Sequence, residues 1–252
     1  MDIRMQAKDA REDCAFCRKI KNLAKIYTFI FARPSMQLFN DVIFQLALRG
    51  KGYENCCNIK ATGEEKLIRI ISNLNPKLCI DVGANTGHYS EALLRLTTAN
   101  VIAFEPLPKA FDKLIKIKSV YPNRLIAVNE GVGAKSEQLD LHFGGEESEL
   151  ASFSGETMNV DYVMAQNKNT IKVQVNSLDN YFKTNSCDFS EIDLLKIDVE
   201  GFEYEVLTGA ENTINKMRPK FIQIEYNWHQ LFTGHSLFNI SKLLPEYILY
   251  QL

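Results

Sequence analysis

The 252-residue chain is 46% hydrophobic and 24% charged, enough apolar material for a sizeable core. That composition excludes disordered, collagen-like and coiled-coil readings. Lys plus Arg number 29 and Asp plus Glu 31, a formal charge of −2, so the basic excess of a nucleic-acid-binding protein is missing and no nucleic acid is expected as a partner.

The charge is uneven: residues 1–50 hold 9 basic and 5 acidic side chains, a net +4, and the rest hold 20 and 26, a net −6. A basic segment of this kind suits an anionic partner or a lipid head group, although a solvated helix face is the commoner meaning. Residues 2–32 lack glycine and proline, and Ile20, Leu23, Ala24, Tyr27 and Ile30 recur at helical spacing, which predicts a helix. A second helix is expected from Met36 to Leu48, closed by Gly50 and Gly52. Residues 1–60 thus read as an N-terminal helical cap on a main domain at 61–252. No stretch approaches the roughly 20 apolar residues that cross a bilayer, so no transmembrane segment is expected. Asp2, Asp9, Glu12 and Asp13 speak against a secretory leader, which makes the cytoplasm the expected location. Cys14 and Cys17 are spaced as CxxC, but the adjacent pair Cys56 and Cys57 makes an awkward second half of a zinc site. Cys79 and Cys187 read as ordinary small residues.

From about residue 62 strands and helices alternate. Thr62-Gly-Glu-Glu65 is a capping signal for a helix over Lys66–Leu74, which Pro76 ends. Leu78-Cys-Ile-Asp-Val82 is a short buried-type strand, followed by the turn Gly83-Ala-Asn-Thr-Gly87 and an amphipathic helix over Ser90–Leu96. Strands at Val101–Phe104 and Leu125–Val128 bracket a helix at Ala110–Val120. Leu139–Phe143 and Ile171–Val175 alternate with period two, as a half-buried hairpin or extra strands would. The polar stretch between them, Gly144–Asn169, is long enough for a binding loop or lid. A strand at Asp193–Asp198, a helix over Phe202–Met217 and a strand at Lys220–Glu225 follow. The alternation predicts an α/β fold: a mostly parallel, doubly wound sheet with helices on both faces, and ligands beyond the carboxyl ends of its strands. Glu246–Leu252 reads as the first strand of a C-terminal hairpin left incomplete, so that either the sequence is truncated or a second copy of the chain completes the edge.

Four strand ends carry small or polar residues to that rim. Gly83 and Gly87 let the chain turn sharply and lie against a ligand, with helix N–H groups aimed at it. Glu105-Pro106 stands 22 residues beyond Gly83, where an acid suits the two hydroxyls of a ribose. Together they point to an adenosine-containing cofactor. The loop has Ala84-Asn85-Thr86 between its glycines and lacks the middle glycine that admits a pyrophosphate. Asp81 would also sit badly beside a pyrophosphate but well near an amino group. S-adenosylmethionine therefore fits better than NAD.

Asp81-Val-Gly-Ala-Asn-Thr-Gly87, Ala103-Phe-Glu-Pro106 and Leu195-Lys-Ile-Asp-Val-Glu-Gly201, with Val206-Leu-x-Gly209 downstream, resemble the FkbM-type S-adenosylmethionine-dependent methyltransferases over about residues 60–250. The resemblance implies a Rossmann-like class I methyltransferase fold and O-methylation of a hydroxyl on a sugar, glycan or other small acceptor. Carried over to this chain, it implies that Asp81, Gly83, Asn85 and Gly87 embrace the methionine part of the cofactor. Glu105 and Pro106 would meet the ribose, and Glu130-Gly-Val132 would border the adenine. His88 would be a cofactor contact or a helix cap.

A hydroxyl is a poor nucleophile until its proton leaves, so a base or a metal is expected beside the methyl group. Asp198, ending a buried strand, and His229 are the base candidates. Asp198, Glu200 and Glu225 form a candidate oxygen-rich set for a divalent ion such as magnesium. Glu203 and Glu205 read as acids favouring a helix dipole. Trp228 suits a sugar face or a core anchor equally, and Glu146, Glu147 and Glu149 in the expected lid hint at a polar or cationic acceptor. Two rival functions stay open at this point: an NAD-dependent oxidoreductase, and a non-catalytic protein that keeps only the cofactor pocket.

Overall fold

The structure is a computed structural model and describes residues 15–50, 63–145, 151–153, 167–185, 189–227 and 229–250. The cysteines weighed as a zinc set, Trp228, Cys187 and the lid glutamates fall wholly or mainly outside these residues. The chain divides into two compact units, residues 1–62 and 63–252.

In the first unit, α1 (Ala15–Phe31) and α2 (Gln37–Gly50) are joined by a short 3-10 turn, Pro34–Met36. Proline sits at the first position of that turn, where its fixed φ fits and its missing N–H is no loss. Asn40 Nδ2 donates to the Phe31 carbonyl at 2.9 Å and so closes the end of α1. Among the described residues, no helix is long and apolar enough to cross a membrane.

The second unit is built on a five-stranded sheet. After α3 (Glu64–Ser72), its strands and helices run in turn: β1 (Leu78–Val82), α4 (His88–Leu96), β2 (Asn100–Phe104), α5 (Pro108–Val120) and β3 (Leu125–Val128). Later come β7 (Leu194–Ile197) and β8 (Phe221–Ile224), and the spatial order is β3-β2-β1-β7-β8. Every pairing in this sheet is parallel. β1 and β7 are buried throughout, which is why they read as continuous apolar runs. Helices cover both faces, and strand order reverses beside β1, the place where such sheets bind ligands. One large core joins Ile80, Phe104 and Ile197 of the sheet to Leu178, Val206 and Ile240 of the covering helices.

A smaller sheet has the order β4-β6-β5, from β4 (Gly131–Val132), β5 (Glu137–Phe143) and β6 (Asn169–Asn176). The expected hairpin pairs antiparallel from Glu137↔Val175 to Phe143↔Asn169. Its inner face packs Leu141, Val173 and Val175 on Leu107 and Ala110.

Three expectations are corrected. The single helix over 202–217 is two, α7 (Glu203–Thr208) and α8 (Glu211–Met217), because Gly209 lies against backbone. A Cβ there would stand 2.0 Å from the Gly133 carbonyl oxygen, and the Gly209 carbonyl accepts from Asp179 N–H at 2.9 Å. The described part of the C-terminal segment, residues 246–250, forms no strand. Tyr247 N–H donates to the Leu244 carbonyl in a turn, which breaks the extended run, and its hydroxyl donates to the Pro219 carbonyl at 2.7 Å. Three short helices went unforeseen: α6 (Leu178–Thr184), α9 (His229–Thr233) and α10 (Leu237–Leu243). Two of them announce themselves by capping serines, with Ser177 Oγ accepting from Asn180 N–H and Ser236 Oγ from Asn239 N–H.

Candidate functional site

A pocket opens at the carboxyl ends of β1, β2, β3 and β7, with Leu141 and Phe153 beside the smaller sheet as a further wall. The turn after β1 is held by Gly83 N–H and Ala84 N–H, both donating to the Phe104 carbonyl. Gly83 has φ +80°, and a Cβ on it would lie 1.8 Å from the Asp198 carbonyl oxygen. The neighbouring strand end therefore demands this glycine. Asn85, also at positive φ, donates its N–H to Glu105 Oε2 at 2.7 Å, and its own Oδ1 is buried without a hydrogen-bond partner.

Of the residues expected around the methionine part, Gly83 and Asn85 line the pocket. Gly87 and Asp81 lie off it, as does His88, expected as a cofactor contact or a helix cap. Gly87 faces α5, where a Cβ would meet Ile117 Cδ1 at 2.6 Å and Leu114 Cδ1 at 2.9 Å. His88 opens α4 from an exposed position. Asp81 is fully buried within β1, accepts from Ser90 Oγ at 2.6 Å and lies 3.7 Å from Lys196 Nζ.

At the end of β2, Glu105 is buried on the pocket wall. Its Oε1 accepts from Leu107 N–H at 2.8 Å and its Oε2 from Asn85 N–H. Burial pushes its carboxyl up to about 7, against the pull of those two N–H groups. Pro106, Glu130 and Val132 continue the wall, and Glu130 Oε2 accepts from Asn176 Nδ2 at 3.3 Å.

The β7 end holds the site's charge. Lys196, buried in the strand, places Nζ 2.8 Å from Asp198 Oδ2 and 5.0 Å from the centre of the Tyr89 ring. Burial alone would raise the Asp198 carboxyl, but the Lys196 charge and a hydrogen bond from Glu225 hold it below the usual carboxylate range. The Glu225 carboxyl moves the opposite way, raised by burial and by the negative charge of Asp198. Sequence reasoning quoted Lys196 inside its motif yet gave it no role. A lysine interrupting an apolar strand was the available signal.

Glu200 completes this wall from φ +51°, a left-handed conformation that costs a non-glycine residue about 1–2 kcal/mol. Strain of that kind persists only where the surroundings hold it. Here Glu200 Oε2 lies 2.7 Å from His229 Nδ1 and accepts from Asn227 Nδ2 at 3.0 Å, and the Glu200 carbonyl accepts from Ser152 Oγ at 2.8 Å. His229, expected on the pocket, is instead buried behind Glu200. The loop after β8 curls over it, with Asn227 Oδ1 accepting the His229 N–H. Glu203 sits beneath the same turn, where its carboxyl takes the N–H groups of Val199 and Gly201 and Gln230 Nε2 at 2.6 Å. It is a buried brace for the rim, beyond the helix-dipole role its position suggests.

Residues 81–247 match the methyltransferase FkbM domain. The chain belongs to the FkbM methyltransferase family. Among its relatives, hexuronic acid methyltransferase AglP of Haloferax volcanii is 29% identical over 186 residues, which cover 73% of this chain and 69% of the relative. 2-O-methyltransferase NoeI of Sinorhizobium fredii is 27% identical over 200 residues, covering 75% and 80%. Of solved structures, the SAH-bound methyltransferase PaMTH1 of Podospora anserina is 14% identical, with a TM-score of 0.43 over 76% of this chain and 71% of the other. The family is one of S-adenosylmethionine-dependent methyltransferases, and nothing in these likenesses supports the nicotinamide-dependent reading.

The pocket of this FkbM methyltransferase fits that cofactor. Asn85 Oδ1 is a buried acceptor in need of a donor such as an ammonium or amino group. Each oxygen of Glu105 spends one lone pair on a backbone N–H and keeps another for a ribose hydroxyl. Val132 and Phe153 give apolar wall where a base would lie.

Proposed function

We propose that this methyltransferase methylates a hydroxyl of a neutral or cationic sugar or glycan. The observation that carries the reading is the rim of Asp198, Glu200 and Glu225, whose ligand atoms lie within 4.8 Å of one another beside the cofactor pocket. Carboxyl groups are good partners for the several hydroxyls of a sugar. No lysine or arginine is among the described pocket-lining residues, so a hexuronic acid, the acceptor in the name of AglP, would meet like charge here. The 2-O-methyltransferase NoeI is the better guide.

The bound sulfonium supplies an already activated methyl group, which leaves this chain to align the acceptor and take its proton. We assign to Asp198, kept ionised by Lys196, the orienting of the acceptor hydroxyl. Glu200 takes the proton as the oxygen–carbon bond forms and the carbon–sulfur pair returns to sulfur. His229 holds the Glu200 carboxylate in place from behind and is a positioning residue. A divalent ion on the three carboxyls would have to displace Lys196 from Asp198 and the proton from Glu225, so we read the rim as the acceptor site. We also place the reaction in the cytoplasm, and propose that a second copy of the chain pairs along the β8 edge, which has only β7 as a neighbour among the described strands.

The test is Glu200→Gln with neutral sugars and matched hexuronic acids as acceptors. The turnover number falls about a hundredfold or more while cofactor affinity is kept, chelation leaves the parent rate unchanged, and neutral acceptors outpace acidic ones. Full turnover in Glu200→Gln removes it as the base, and a preference for hexuronic acid refutes the acceptor.

A further inference from the structure

The first unit exposes side chains that a folded protein normally hides. Leu23, Ile26, Tyr27 and Ile30 of α1 recur at i, i+3, i+4 and i+7, and so do Phe39, Val42, Ile43 and Leu46 of α2. All eight are exposed. Leu23 and Leu46 are the most open of them at 64% and 65%, and α2 has no buried residue. Two consecutive helices with such stripes go beyond the scattered apolar residues of an ordinary surface and mark one that is made to be covered.

Charge indicates the cover. Residues 15–50 carry six basic side chains and one acid, Asp41, in a chain whose overall charge is −2. Lys21 and Lys25 are exposed one turn apart, and their helical positions fall on the side of α1 away from its apolar stripe. Bulky apolar groups on one side and lysines on the other are the pattern of a helix lying in the interface of an anionic bilayer. Neither helix has the length to cross, since α1 has 17 residues and α2 14 against roughly 20 needed. A second copy of the chain seated on the same stripe would bring two net-positive segments together, which disfavours it.

We propose that α1 and α2 form a docking hairpin that seats the methyltransferase on an anionic phospholipid surface, with its apolar stripes at the acyl boundary and its lysines toward the head groups. The seat does not depend on which acceptor is methylated.

The experiment is flotation of the full chain with phosphatidylcholine vesicles, with and without phosphatidylglycerol. The protein floats with the anionic vesicles, far less with the neutral ones, and high salt releases it. Lys21→Gln and Lys25→Gln each lower the partition coefficient about fivefold. The double variant Leu23→Asp, Leu46→Asp, one residue from each stripe, stays in the soluble fraction while calorimetry shows unchanged S-adenosylmethionine binding, proof that the second unit is intact. Failure to float with anionic vesicles overturns the proposal, as does flotation that the double variant does not weaken. A dimer mass by light scattering that the double variant halves, with no flotation, gives the stripe to a second copy.

Discussion

Asp81, inside β1, and Asp198, one residue past β7, both approach the ammonium of Lys196, at 3.7 and 2.8 Å. Asp81 is completely buried, and burial drives its carboxyl upward in spite of Lys196 and the Ser90 hydroxyl. Asp198 keeps a quarter of its side chain exposed on the pocket wall, and there Lys196 and Glu225 outweigh burial and hold it low. Asp81 stands opposite Lys196 in the β1–β7 register, and Asp198 lies two residues further along on the same face. About 6–7 Å of strand thus separates a charge of the core from a charge of the site. One lysine serves both, and it couples the stability of the sheet to the ionisation of the rim.

The strongest way to break that coupling is Lys196→Met. Removing one partner leaves two carboxylates without their cation in low dielectric, and urea denaturation is expected to show a loss of about 3–5 kcal/mol. A loss below about 1 kcal/mol would mean that Asp81 simply takes up a proton in the folded state.

Next in size is the contrast between Asp198→Asn and Asp81→Asn. The first removes the proposed charge-assisted contact to the acceptor hydroxyl and lowers turnover about 10- to 100-fold, and, because it also weakens the pairing of Lys196, it costs about 1–3 kcal/mol of stability. The second leaves turnover within about twofold but costs about 1–3 kcal/mol of stability, the value of a buried hydrogen-bonded group. Equal kinetic losses in both variants would erase the division between core and site.

The same contrast explains what the sequence revealed. Alternating apolar strands and helices disclosed the parallel sheet, because burial on both faces leaves a plain mark on composition. The residues of the motifs after β1, β2 and β7 were visible too. What each one faces was not. Gly87 and Gly83 look alike in the text, yet one answers to α5 and the other to the Asp198 carbonyl, contacts set by elements 30 and 115 positions away. His229 looked like a free base because nothing in its own segment shows that Glu200 stands between it and the pocket. The break at Gly209 depends on Gly133, equally remote. Local pattern reports propensity and periodicity, and these distant contacts lie outside its reach.

Glu105 combines the two situations, because it is buried like Asp81 and on the pocket like Asp198. Burial pushes its carboxyl from about 4.5 up to about 7, so within that range the folded protein holds a proton that the unfolded chain has released. The native state then binds more protons, and stability falls as pH rises through the window. If Glu105 takes the ribose hydroxyls, they donate to the ionised carboxylate, and cofactor affinity is expected to move the other way and tighten several-fold as pH rises through about 7. Glu203, also pushed up to about 7 by burial, contributes the same sign to stability but lies off the pocket, locked to Val199, Gly201 and Gln230. Glu105→Gln therefore abolishes the pH dependence of S-adenosylmethionine binding while part of the stability slope survives on Glu203. Calorimetric titrations across neutral pH, paired with urea melts, separate the two slopes. An affinity that keeps its pH dependence in Glu105→Gln removes this carboxyl from the ribose, and the division of buried acids into braces and ligand contacts would need another boundary.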